Sequence, residues 1–258
     1  MKLFNVSRIG FALRWSFYHL IGSLFVALLS SVVVFSGWYP NPWRTMLGVT
    51  QIFLLVVLVD VICGPMLTLV LASPRKSVRE RWVDLTLVVV IQLGALFYGL
   101  FSVFSARPVV LAFETDRFVV VTANEVQTTD FTQISNEFQN LPWFGLQRVA
   151  VRAPRSSQER LESLEASLNG VPPSLRPSWW IPYSEVQAEI ARRAKPLTVL
   201  QSDDGAQKVV LEDAVRKSKI PAFDLRYLPL TSSKDLGWIA LLDKSGQVVG
   251  YAQIDGFK

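Results

Sequence analysis

The sequence predicts a membrane protein: three transmembrane α-helices followed by a soluble α+β domain with an antiparallel sheet. Three observations carry that prediction. Residues 1–105 contain three long runs almost free of charge. The charges divide unevenly, with eight Lys/Arg and three Asp/Glu in residues 1–105 but eighteen of each in residues 106–258. The second part reads as β-rich runs, then helical patterns, then β-rich runs again. The expected organisation is a three-helix transmembrane domain over 1–105 and a periplasmic α+β domain over 106–258.

The runs are long enough to span. Trp15 to Trp38 holds no Asp, Glu, Lys or Arg, Arg44 to Arg75 encloses thirty residues with Asp60 as their one charge, and Asp84 to Arg107 encloses twenty-two with none. A helix of about 20 apolar residues crosses the hydrocarbon layer. The expected helices lie near 16–37, 49–72 and 84–105. Lys2, Arg8 and Arg14 precede a first run that is long for a cleavable signal, so it reads as an uncleaved signal-anchor.

Basic flanks set the orientation. Seven Lys/Arg lie before the first span or between the second and third, while Arg44 alone lies between the first and second. Basic residues stay on the cytoplasmic side. The N-terminus is therefore expected in the cytoplasm, and three crossings carry residues 106–258 outside the inner membrane, into the periplasm of a Gram-negative cell. The net charge of +5 lies wholly beside the apolar runs. It signals topology rather than phosphate binding, and no nucleic-acid partner is expected. Trp38, Tyr39, Trp43 and Trp82 fall at span ends and read as interfacial belt residues beside membrane lipid.

In the soluble part, "RPVVLAFETDRFVVVTA" reads as a hairpin turning at Glu114–Arg117, and "GWIALLDKSGQVVGYAQID" as another turning at Lys244–Gly246. "FDLRYLPL" reads as a strand interrupted or ended by Pro229. Ser156 with Glu159, and Ser184 with Gln187, offer capping boxes for two helices, and "AQKVVLEDAVRKSKI" offers a third helix ended by Pro221.

Catalytic chemistry finds little purchase. The one cysteine, Cys63, and the one histidine, His19, both lie in apolar runs. Disulfides, CxxC pairs, His triads and multi-His metal sites are therefore excluded from the soluble part. No phosphate loop, GxSxG or metal spacing is present, and no cofactor is implied. Asp203, Asp204 and Asp213 read as a turn and a solvated helix face. Trp179 and Trp180, in "SWWIPY", pack on the core, touch the membrane or contact a partner.

Asp60 is the residue the apolar runs do not explain. A charge at mid-membrane costs roughly 2.5–3.5 kcal/mol. It must face other helices, because lipid offers no hydrogen-bond partner. Gln92 stands at matching depth: about 14 Å of helix from Val83, against about 18 Å from Ala72 for Asp60. An Asp60–Gln92 contact is expected. Gly64, one turn after Asp60, lets another helix approach, and Pro65 cannot donate to the carbonyl of Val61, so a kink is expected. Ser23, Ala27 and Ser31 make a small-residue stripe on the first span. Three roles are open to Asp60: locking this bundle, receiving a helix from another protein, or relaying protons.

The chain also has a familiar layout: a first span ending in "GWYPNPWR", the run "LLVVLVDVICGPMLTLVLASPRK", a third span leading into "ARPVVLAFETDRFVVV", then "RYLPL" and "WIALLDKSGQVVGYAQID". It resembles the type IV pilin accessory proteins of the TfpX/TfpZ group over nearly its whole length. The most specific parts are Asp60, Gly64 and Pro65 with the Leu67–Leu69 and Pro74–Lys76 segments, and "RPVVLAFETDRF". The resemblance implies an inner-membrane protein that associates with the major pilin and modulates pilus assembly and surface piliation, with no established catalytic activity. By likeness it attaches importance to Asp60, Gly64, Pro65, Arg107, Pro108, Glu114, Asp116 and Arg117. A pilin presents a single apolar N-terminal helix and a globular head, and this layout could meet both. The rival is a membrane-anchored periplasmic enzyme acting on pilin or envelope glycan, whose catalytic groups would be Asp/Glu, Ser, Lys or Tyr. A sensor domain ranks third, since no cytoplasmic output domain is present.

Overall fold

A computed structural model describes residues 6–128, 136–200 and 205–257. Lys2, Asp203 and Asp204, used above, lie outside them. The chain divides into two compact units, Met1–Ser105 and Ala106–Lys258.

The first unit is helical. α1 (Val6–Val32) continues as a π-helical stretch, Val33–Trp38, closed by the Tyr39 amide donating to the Val34 carbonyl at 2.7 Å. A single turn, α2 (Trp43–Met46), leads to α3 (Val49–Leu71), and α4 (Val78–Ser105) completes the unit. Three helical segments, Arg8–Trp38, Val49–Leu71 and Val78–Ser105, are long and apolar enough to cross a membrane. α3 is the central helix, packed against both α1 and α4. The helix runs unbroken through Pro65. α4 opens on a reciprocal capping box: the Ser77 hydroxyl accepts from the Glu80 amide at 3.3 Å, and the Glu80 carboxylate accepts from the Ser77 amide at 2.8 Å.

The belt expectation needs correcting at two residues. Tyr39 and Trp43 are buried, and the Tyr39 hydroxyl donates to the Val103 carbonyl of α4 at 2.9 Å. Together with Met46 and Leu47, they fold the first connection inward. Trp82 is exposed, as a belt residue must be.

The second unit is one mixed sheet with helices. Its strands are β1 (Pro108–Glu114), β2 (Arg117–Thr122), β3 (Gln147–Val151), β4 (Trp180–Pro182), β5 (Lys195–Pro196), β6 (Arg226–Ser232), β7 (Trp238–Leu242) and β8 (Val248–Ala252). They are ordered β4-β3-β1-β2-β6-β7-β8, with β5 beside β6. Both predicted hairpins are present as antiparallel pairs, β1–β2 and β7–β8. The sheet departs from a wholly antiparallel one at two junctions, β1–β3 and β2–β6, which are parallel. Long connections before β3 and β6 make this possible, since a parallel neighbour needs a crossover rather than a tight turn.

Pro229 does not end its strand. On one side of β6 the pairing passes from β5, at Arg226 and Tyr227, to β2, at Leu230–Ser232. Pro229 sits in that gap, where a missing amide hydrogen leaves no ladder partner wanting.

α5 (Ser157–Leu168), α6 (Tyr183–Arg193) and α7 (Gly205–Ser218) follow the predicted helical patterns. The Ser156 hydroxyl caps the Glu159 amide at 3.0 Å. The Glu159 carboxylate turns instead to the Arg155 amide and to Arg152, at 2.6 Å. These hydrogen bonds, with Arg152 first, hold its pKa down at about 2. Ser184 is no cap: α6 already begins at Tyr183, after Pro182. Glu189 and Arg193 pair on α6 at 2.6 Å as the i,i+4 spacing predicts.

Candidate functional site

α3 places Asp60 in the middle of the helical unit, buried to 7 % exposure. Gln92 reaches across from α4. Its Nε2 donates to the Asp60 carbonyl at 2.8 Å and to the Ser23 hydroxyl of α1 at 2.9 Å. One amide thus ties all three helices together at one depth.

Gly64 makes this clamp possible. A Cβ there would overlap the Gln92 amide, so the glycine is room for a side chain rather than for a helix backbone. A second close approach follows along α4, where a Cβ on Gly99 would lie 2.6 Å from Val56 Cγ1. Pro65 contributes differently: its carbonyl accepts from the Ser16 hydroxyl at 2.9 Å. The small-residue stripe is present but shifted. Ser23, Ala27 and Ser30 are buried, whereas Ser31 is half-buried and returns its hydroxyl to the Ala27 carbonyl at 2.8 Å. A straight four-residue step drifts off the contact face, and a three-residue step restores it.

His19 meets Thr68 rather than Asp60, with Nδ1 and Oγ1 2.5 Å apart. Ser16, His19 and Ser23, spaced three and four apart, form a polar face on α1 that the sequence spacing alone makes legible. His19, Ser23, Asp60 and Gln92 share the wall of a cavity of about 210 Å³. A larger groove of about 390 Å³ runs between α3 and α4, from Ile52 to Leu67 and from Val88 to Ser102, with Asp60 and Gln92 in its wall. Its lining is otherwise almost wholly apolar. Gln92 Oε1 is buried and accepts no hydrogen bond from the described residues.

In the second unit the adjacent tryptophans do not form a partner surface. Trp179 and Trp180 are only 3 % and 5 % exposed. The Trp180 indole donates to the Ser174 carbonyl at 2.9 Å and meets Phe138 edge-on, while the Arg152 guanidinium covers Trp179 at 4.4 Å. β4 draws the pair into the sheet, where their area is worth more buried than displayed.

The family-like segment enters the sheet and forms its first hairpin turn. Arg107 is buried and donates twice to the Pro142 carbonyl, at 3.2 and 3.0 Å. Pro108 opens β1 opposite Thr122 at a bulge. Glu114 pairs with Arg117 across the hairpin turn, Thr115 takes φ 59° at its tip, and Asp116 donates its amide to the Glu114 carbonyl at 2.7 Å. Arg193 of α6 holds that turn through the Thr115 carbonyl at 2.7 Å. Asp213 pairs with Lys217 at 2.5 Å and with Arg216, and those bonds lower its pKa, as a solvated helix face would. No group of three or more His, Cys, Asp or Glu that could hold a metal occurs among the described residues.

Three helices long and apolar enough to cross a membrane, followed by a mixed-sheet α+β unit, define the class as a membrane protein with a C-terminal domain. The comparisons give the class a family. The family model "Fimbrial assembly protein FimB" matches residues 7–48. The fimbrial assembly proteins of Dichelobacter nodosus serogroups E1 and I are each 33 % identical over 255 residues, covering 98 % of this chain and 99 % of theirs. A third relative, from serogroups C1 and C2, is 36 % identical over 129 residues, half of this chain and 98 % of its own. The chain belongs to the fimbrial assembly protein family. No solved structure matches it.

Proposed function

We propose that this protein is an inner-membrane accessory of type IV pilus assembly that binds the major pilin and modulates its passage into the pilus, without catalysis. The end-to-end similarity to proteins named for fimbrial assembly carries the reading. In it, the N-terminus lies in the cytoplasm and residues 106–258 in the periplasm, where a pilin head is presented. The α3–α4 groove supports a membrane-level contact. From Ile52 to Leu67 it follows about 22 Å of helix, a length suited to a single apolar helix lying alongside. Asp60 stands in its wall, so a guest helix that brings a donor to that depth gains a hydrogen bond that lipid cannot offer.

The test is photo-crosslinking in cells. A photoreactive residue at Val59 or Ile91, both exposed on the groove side, should yield an adduct with the major pilin. The same residue at Leu28, exposed on α1, should yield far less. No pilin adduct from either groove position removes the pilin contact. Unchanged surface piliation on deleting the gene removes the assembly role as well.

A further inference from the structure

We infer that α5 is a self-association surface, whose leucine stripe pairs in parallel with the α5 of a second copy of this chain. Leu161, Leu164 and Leu168 are 62 %, 58 % and 82 % exposed. They are the only large apolar side chains in α5, and the helix buries Ser163 alone. An ordinary surface helix buries its apolar stripe and displays its polar face. α5 does the reverse.

A helix of twelve residues is marginal by itself in water and draws most of its stability from packing an apolar face. What anchors α5 within the chain is polar and sits at its first turn. The Ser156 hydroxyl caps the Glu159 amide at 3.0 Å, and Arg152 holds the Glu159 carboxylate at 2.6 Å. The turns beyond carry the leucines to the surface, where a contiguous apolar stripe marks an interaction site.

Spacing and charge select the occupant. Steps of three and then four residues are those of a coiled-coil seam, with Leu161 and Leu168 at one repeat position and Leu164 at the other. Arg160 and Glu165 border that seam on opposite sides, both exposed and neither in an ion pair among the described residues. In a parallel pair the two borders meet across the seam, so Arg160 faces Glu165 of the partner subunit, and the two-fold axis makes that pair twice. In an antiparallel pair each border would face its own counterpart and the charges would go unmatched. A lipid surface fits less well, because helices that lie on membranes carry Lys and Arg on their polar face, whereas α5 has three Glu and one Arg. A seam of three leucines is short, so the two copies associate reversibly.

The test traps the full chain in membranes of a host that makes no pilin, in a Cys63→Ser background. Single Leu161→Cys and Leu168→Cys substitutions are oxidised with copper-phenanthroline, with Phe223→Cys, also highly exposed, as the control for chance collision. Both seam positions should form disulfide-linked dimers at least threefold more than the control. Antiparallel helices would hold each of these cysteines about 10 Å along the axis from its counterpart, too far to link. Arg160→Glu or Glu165→Arg alone should cut the Leu161→Cys linkage at least threefold, and the two together should restore it. All these side chains are exposed, so the fold is not at stake. Linkage no greater than the control at either seam position, or no recovery in the double charge reversal, overturns the inference. Linkage that appears only when pilin is co-expressed also overturns it, because the stripe would then belong to a pilin contact.

Discussion

Gly64 shows how much one missing methyl group decides. Gln92 occupies the space a side chain would take there, and from that position it bonds both α3 and α1. A Gly64→Ala change would push the amide aside. Because that amide is the end of a flexible side chain, the cost is the lost hydrogen bonds rather than a rigid clash: about 1–2 kcal/mol for two bonds inside a membrane bundle. A double-mutant cycle with Gln92→Ala, read by thermal unfolding in detergent, should be strongly non-additive. The Gly64→Ala change should cost little once Gln92 is gone. Additive losses would mean that Gly64 serves a contact other than Gln92. The meeting of Asp60 with Gln92 was legible from depth alone, because helix rise converts residue counts into ångströms. Which atoms meet was not legible. The bonded group is the Asp60 backbone carbonyl, and backbone acceptors leave no mark in a sequence.

At the scale of elements, hairpins were legible and crossovers were not. A tight turn advertises itself locally: Asp243 Oδ1 accepts from the Ser245 and Gln247 amides, each at 2.9 Å, and Gly246 takes φ 84°. The parallel junctions β1–β3 and β2–β6 join segments far apart in sequence, and no local residue announces them. The same distance hid the docking of α6 on the β7–β8 turn, where the Tyr183 hydroxyl donates to the Gly246 carbonyl at 2.5 Å. That docking has a pH signature. Burial pushes the Tyr183 phenol from 10.0 up to about 12, with Tyr251 and Asp243 adding to the rise and Arg148 opposing it. The folded pKa exceeds the unfolded one, so the contribution is whole below pH 10 and is lost as the pH climbs from 10 towards 12. A Tyr183→Phe change should cost about 1 kcal/mol at neutral pH. It should also flatten the fall in stability above pH 10 when urea unfolding is followed by circular dichroism at several alkaline pH values. An equally steep alkaline fall in the variant would show that other groups govern it.

At the scale of the whole molecule, the charge asymmetry and the division of the chain coincide. The helical unit holds the entire excess of positive charge, and the second unit is neutral overall. An asymmetric Arg/Lys bias of this kind acts during insertion, by keeping basic connections from crossing. The α3–α4 connection illustrates how firmly such a turn is held. Lys76 bonds the Leu71 carbonyl at 3.0 Å and Asp84 at 2.5 Å, and Ser77 and Glu80 cap the next helix reciprocally. This turn should therefore remain in the cytoplasm with the N-terminus, on the opposite side from residues 106–258. Single cysteines in a Cys63→Ser background distinguish the two sides. A membrane-impermeant maleimide should label Leu168→Cys in intact spheroplasts and Ser77→Cys only after lysis, both positions being exposed. The reverse pattern would turn the molecule over. It would also put the sheet beyond reach of a pilin head, leaving the helical groove as the one surface through which the proposed contact with pilin could operate.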